Sequence, residues 1–474
     1  MAAMMKVARV AKEYIKPSSA TPSHLRNFKF SLLDQLAPSL YAPMVFFYPM
    51  KNTRNLKHEP TSRVKHLKQT LSPFLSRFYP FAGRIKDHVS IDCNDVGVEF
   101  LEAEVNTCLG DFLKQPNADA MKHFLPVDIE SECTKMGTGG DLVHVQTNTF
   151  ECGGIAVGIC WSHKITDGGT VSAFMRGWSS MASSRSGNEV IPEYGASSLF
   201  PPTESYIPGC ALKLETDKTT TRRFVFDGSQ IEKLKARCVS EDVAKPTRVE
   251  AVSSLLWKCA TKASRANSGS QTRSVMSQSM NIRRRTSPPL PDTTIGNLVG
   301  YYIAKMEQNT DHKTHLLQDL VAKQRQGKTA AITNYAKKLQ GNDNAHVVIR
   351  ELFKEAGTLL RRDDVDFFKC LSTCRDGLYE ADFGWGKPLW LSLVCLGYKN
   401  TFALSETKEG GGIEAWVTLK DDDMELFESD LDLLAFGSPN PSVLIVDEES
   451  QLLEQVGRRL IFDDPSYNQT LLTW

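Results

Sequence analysis

The stretch GGIAVGICWS, residues 153 to 162, is apolar at nearly every position, which is the pattern of a buried strand. Beyond the polar HKITDGG the period changes, and Val171, Phe174, Met175 and Trp178 recur at three- and four-residue spacing on one helical face. The pattern predicts a strand that runs into a helix across a short polar junction. APMVFFYP and HVSIDCNDVGVEF read as further strands, and the segment around VKHLKQTLSPFLSRF reads as a helix.

The second half repeats this mixture. RRFVFDGSQIEKLKARC predicts a strand and then a helix, with Asp227 or Ser229 as the cap. In TRVEAVSSLLWKCATKAS, Thr247 and Glu250 stand at capping-box spacing, and Val252, Leu255, Leu256 and Cys259 follow at helical intervals. Residues 308–362 are polar and lysine-rich and predict surface helices, including YAKKLQ and VIRELFKEAGTLLRR. No internal repeat is present.

Between about Ser183 and Thr221 the chain turns rich in Ser, Gly and Pro, the composition of an irregular crossover. At 474 residues it exceeds what one hydrophobic core usually serves. The expected class is therefore mixed α/β in two domains: residues 1–185, a crossover at 186–220, residues 221–435, and an atypical tail at 436–474. The tail opens on the linker-like AFGSPNP and is expected to be loosely attached, so a chain cut after Leu434 is expected to stay active.

Composition narrows the function class. With 24% charged residues and a formal net charge of zero, the chain does not read as a nucleic-acid binder. The charge is unevenly placed: residues 1–90 hold fifteen Lys or Arg against four acids, and residues 421–474 hold two against thirteen. Solvated surface with attraction between the ends accounts for this, and so does a cationic rim for an anionic cosubstrate. Eleven cysteines without a Cys-x-x-Cys pair indicate neither a zinc site nor a complete disulfide framework, so a reducing compartment and no metal are expected. No apolar run is long enough for a membrane span, and MAAMMKVARVAKEYIKP lacks the core of a secretory signal. A cytoplasmic protein is the expectation.

The polar junction contains His163 and Asp167. A chain with ten histidines should show about one His-x-x-x-Asp by chance. Three occur, so context must choose among them. His88 and Asp92 fall in an alternating strand beside solvent, and His315 and Asp319 fall in a helical pattern as an ordinary surface pair. His163 alone sits between a buried strand and a helix, where a scaffold presents reactive groups, and Gly168 and Gly169 permit close approach. A satisfied core histidine fits the same context. A second stretch, YEADFGWGKP, holds Asp382, Phe383 and Gly384. A kinase magnesium loop is excluded by the missing His-Arg-Asp and glycine-rich loops, and no Gly-x-Ser-x-Gly elbow exists. Gly384 and Gly386 around Trp385 read as a tight turn that packs an aromatic ring.

HKITDG followed in order by DFGWG resembles the plant BAHD acyltransferases, which pair an HxxxDG motif near mid-chain with DFGWG towards the end. Similarity extends over most of the chain, through IKPSSATP, FKFSLLDQ, FYPFAGR, DCNDVGVEF, FECGG, TRVEAVSSLLWKC, NIRRRTSPPLP and IGNLVG, and is greatest to the subgroup of vinorine synthase and salutaridinol acetyltransferase. The resemblance implies two chloramphenicol acetyltransferase-like domains, each a mixed sheet with helices, enclosing a channel entered by the acyl-CoA donor from one face and an alcohol acceptor from the other. It implies His163 as general base, with Asp167 turned away to pair with Arg283, and Asp382, Phe383, Gly384, Trp385 and Gly386 mainly architectural, Trp385 bordering the CoA entrance. The implied activity is O-acetyl transfer from acetyl-CoA to a specialised metabolite, an alkaloid or terpenoid alcohol, by a monomer without a bound cofactor. A thioesterase or a non-catalytic binder on the same scaffold would carry the same motifs. STCRDG, at 372 to 377, departs from the family, which usually has a tryptophan followed by Cys or Thr, then Arg and often Pro.

Overall fold

The computed structural model describes residues 5–50, 59–128, 138–183, 189–204, 218–269, 272–306, 316–339, 357–359, 362, 364–394 and 398–444. Two large mixed sheets dominate. The first runs, edge to edge, Val7–Ile15, Val98–Val105, Val143–Phe150, Ile155–Ser162, Tyr41–Tyr48 and Trp390–Leu393. The second runs Val299–Met306, Arg273–Asn281, Val365–Ser372, Thr401–Glu406, Ile413–Lys420, Thr219–Phe226 and Ser438–Pro439. Each carries its own hydrophobic core.

Ile155–Ser162 lies inside the first sheet between two antiparallel neighbours, and every residue of it is buried. This is why its sequence is apolar throughout rather than alternating. The helix Gly168–Ala182 follows, and its buried face sets Phe174 edge-on to Phe74 of the helix Pro60–Arg77 at 4.8 Å. Gly177 lets the two helices approach, since a β-carbon there would stand 2.8 Å from the Phe74 ring. Both local predictions in the second half hold. Asp227 caps Gly228–Arg237, and Thr247 with Glu250 closes a capping box on Arg248–Ser268. Of the predicted surface helices, the described residues hold Leu317–Leu339 and a helical turn at 357–359; residues 340–356 lie outside them.

The sheets do not divide where the crossover divides the chain. Trp390–Leu393 leaves the second half and pairs with Tyr41–Tyr48, because its all-buried sequence completes the first sheet. Phe383 and Trp385 go with it into the first core. A polar link joins the sheets at this point: Trp390 donates its indole N–H to Glu414 Oε2 at 3.0 Å, and Glu414 also pairs with the buried Arg223.

The expectation of a loose tail is corrected for its first part. Phe436 is buried in the second core, and Ser438–Pro439 pairs with Thr219–Phe226. Asn440 then donates to the Pro116 carbonyl, the Val443 amide donates to that of Leu113, and Leu444 is buried in the first core. Residues 436 to 444 thus strap the two halves together. A protein ending at Leu434 should lose about 1.5–3 kcal/mol for Phe436 alone and aggregate or melt lower, whereas one ending at Leu444 keeps every one of these contacts. Thermal unfolding of the two truncations checks this, and equal melting temperatures would show that the strap carries no load.

Candidate active site

Register places the histidine. Tyr41 pairs with Ser162 at the end of the buried strand, and the His163 amide then donates to the Leu40 carbonyl at 2.8 Å. The chain turns under Lys164, whose ammonium donates to the carbonyls of Gln35 and Ala37, and under Thr166, which returns a hydrogen bond to the Ser162 carbonyl. Asp167 ends the turn as N-cap of Gly168–Ala182, accepting from the Thr170 amide at 2.8 Å. His163 is partly exposed.

The second half closes on this loop. Arg283, wholly buried, forks its guanidinium onto Asp167 at 2.7 and 2.8 Å, and donates also to the carbonyls of Thr294 and Gly296. Leu298 adds its amide to Asp167 at 3.0 Å. Burial works against a charged carboxyl here, but Arg283 and the donated hydrogen bonds outweigh it and hold Asp167 below the usual carboxylate range. Both Asp167 oxygens are thereby occupied. They bind the loop to the second half and are not aimed at the imidazole.

The imidazole has a different partner. Asn297 accepts at Oδ1 from His163 Nδ1 at 2.9 Å, while its Nδ2 donates to the His163 carbonyl at 2.7 Å and to Asp34 Oδ1 at 3.0 Å. Those last two partners only accept, so the NH2 group must face them and the amide oxygen must face the ring. It follows that Nδ1 carries the proton and Nε2 keeps its lone pair. Asp34 is held in turn by the Asn297 amide at 2.7 Å and by the Ser31 amide and hydroxyl. Burial pushes the Asp34 carboxyl up, while four converging donors favour its ionised form. Burial also lowers the His163 pKa, which keeps the ring neutral near pH 7. A neutral imidazole with a free Nε2 can accept a proton from a hydroxyl.

The motif glycines have a steric reason. A β-carbon at Gly169 would stand 2.4 Å from Arg283 Nη1, and one at Gly168 would stand 2.8 Å from Asp376 Oδ2. The fold therefore gathers His163, Asp167, Gly168 and Arg283. Asp382, Phe383, Gly384, Trp385 and Gly386 stand apart: Phe383 and Trp385 are buried in the first core, Asp382 and Gly386 are partly exposed, and Gly384 is exposed. Asp382 Oδ1 accepts from the amides of Gly384 and Gly386, whose φ angles of 103° and 115° suit glycine, and so shapes the turn. Trp385 is 5% exposed and stacks on Phe383 with Arg63 over its ring. An indole so enclosed packs the motif. His88 is exposed and meets the Glu204 carbonyl; His315 lies outside the described residues. A cavity of about 180 Å³ between Ala118–Lys122 and Thr219–Phe226 borders none of the expected site residues.

Asn297 and Asp34 were not singled out by sequence. The only local signal was Ser31 with Asp34 at capping-box spacing, and that box is present on Leu32–Leu36. Asn297→Ala should lower kcat by about 10- to 100-fold, the worth of one or two hydrogen bonds to a buried group, with the fold kept by circular dichroism. An unchanged kcat would mean that the Nδ1 partner is immaterial.

The Transferase family profile matches residues 5–434. The chain is 36% identical to a limonoid 7-O-acetyltransferase of Citrus sinensis, with 91% of this chain and 98% of the relative covered. It is 34% identical to the stemmadenine O-acetyltransferase of Catharanthus roseus, covering 91% and 97%. Among solved structures, vinorine synthase superposes with a TM-score of 0.79 at 31% identity, over 93% of this chain and 100% of that one.

Proposed function

The chain belongs to the Transferase family of acyl-CoA-dependent O-acyltransferases, the BAHD enzymes of plants, and from that membership we propose that it transfers acetyl from acetyl-CoA to a hydroxyl of an alkaloid or terpenoid, with His163 as general base. The observation that carries the assignment is the Asn297 Oδ1 contact on Nδ1, which leaves Nε2 unprotonated on a partly exposed ring between the two halves.

A hydroxyl attacks a thioester well only as its proton departs. Nε2 takes that proton while the oxygen adds to the carbonyl carbon, and the imidazolium that forms keeps its Nδ1–H on Asn297. Collapse of the tetrahedral adduct breaks the C–S bond, and the leaving CoA thiolate takes the proton back from Nε2. Base and acid are thus one group, and no covalent enzyme intermediate is needed. A base so placed contributes about 10² to 10⁴ in rate.

The test is release of CoA thiol by the purified protein from acetyl-CoA, with a panel of alkaloid and terpenoid alcohols and mass spectrometry of the products. The reading requires acceptor-dependent release and a product heavier by one acetyl group. Release without acceptor would identify a hydrolase on this scaffold, and binding of acetyl-CoA without product would identify a non-catalytic binder.

A further inference from the structure

The departure STCRDG supplies a group that the mechanism above leaves unused. Val365–Ser372 ends there, and the chain reverses through Arg375 and Gly377, both at positive φ. The Asp376 amide closes the turn on the Thr373 carbonyl, and the Ser172 hydroxyl donates to the Asp376 carbonyl, which fixes the turn to the helix Gly168–Ala182. The Asp376 side chain is consequently laid over Gly168, on the loop that carries His163, and both residues are partly exposed.

No donor among the described residues reaches this carboxyl. The charges around it are those of Asp167, Arg283, Glu406 and Arg176. Arg283 is already forked onto Asp167, and Glu406 faces Arg248 at 3.8 Å. Among the described residues Arg176 reaches the Ser172 carbonyl, at 3.4 Å, and forms no ion pair with Asp376. The N-terminus of Gly168–Ala182 favours a negative charge nearby, but it supplies no hydrogen bond to these oxygens. A carboxylate so enclosed is costly without a partner.

We propose that Asp376 receives the protonated amine of the acceptor, so that this enzyme selects an amine-bearing alcohol. The inference rests on the transferase reading and deepens it. An ammonium docked on Asp376 supplies the missing donor and countercharge, and it anchors the acceptor beside the His163 loop without touching the reacting hydroxyl. Burial pushes the empty carboxyl up to about 7, and a bound cation would draw it back down.

The test compares a tertiary-amine alkaloid alcohol with its lactam, in which the nitrogen is not basic, for the wild type and Asp376→Asn. The substitution should raise the KM for the amine about 10- to 100-fold, the size of a hydrogen bond to a charged group, and leave the lactam and the KM for acetyl-CoA unchanged. Equal losses on both acceptors with a lower melting temperature would reduce Asp376 to a structural role, and a raised KM for acetyl-CoA would place it on the donor side. Either result overturns the proposal. A wild type that acetylates nothing would refute the transferase reading separately, and the carboxylate is then tested by binding alone: the amine must raise the melting temperature of the wild type but not of Asp376→Asn.

Discussion

His163→Ala should lower acyl transfer by about 10² to 10⁴, the contribution of a positioned general base, while the melting temperature barely moves. The two effects separate because, among the described residues, the ring's one side-chain hydrogen bond is to Asn297, and the contacts that hold the loop are made by its backbone, by Lys164 and by Asp167. His88→Ala is the control and should remain active, since that ring is exposed, meets the Glu204 carbonyl and lies outside the His163 loop. The pH profile carries the same information. Proton acceptance requires neutral imidazole, and burial lowers the His163 pKa, so the acid limb of kcat/KM should fall below the ordinary histidine value of about 6.5. Substantial activity in the purified alanine variant, or a limb displaced above that value, would remove His163 from the chemistry.

The second large effect is on stability. Asp167→Asn should cost about 3–5 kcal/mol, the range for removing one partner of a buried ion pair, because the new NH2 group would face Arg283 or the Leu298 amide, which are themselves donors. Activity should fall with it, since the same bonds seat the His163 loop against the second half. The pair also predicts a pH dependence. The folded Asp167 pKa is depressed, so its stabilisation is present above the ordinary carboxylate value and is lost as pH falls through that value and below it. Asp167→Asn should lose that part of the acid sensitivity. A melting temperature equal to the wild type would show that the buried pair does not hold the two halves together.

Much of the architecture could be read from short windows. The all-buried strand before His163, the helix after it and the capping box of Thr247 with Glu250 are each set by spacing within about four residues. The place of His163 between that strand and that helix was legible for the same reason, and the Arg283 pair with Asp167 was implied by the resemblance. The tail misled because AFGSPNP has the composition of a linker, whereas its edge pairing depends on the exposed backbone of Thr219–Phe226.

The chain's own pattern sufficed for the main strands and helices and for the junction that holds His163, since each is written in neighbours along the sequence, while the acyltransferase class came from the resemblance that the two motifs carry. Contacts between distant segments decided the rest. His163 finds Asn297 across 134 positions, and Asn297 finds Asp34 across 263. The second motif and Trp390–Leu393 cross into the first core, and Asp376 comes to lie over Gly168. Periodicity records which face of an element is apolar, but not which remote amide or carboxyl will meet it. Only packing brings those groups within hydrogen-bond reach, and the tautomer of the candidate base follows from that packing.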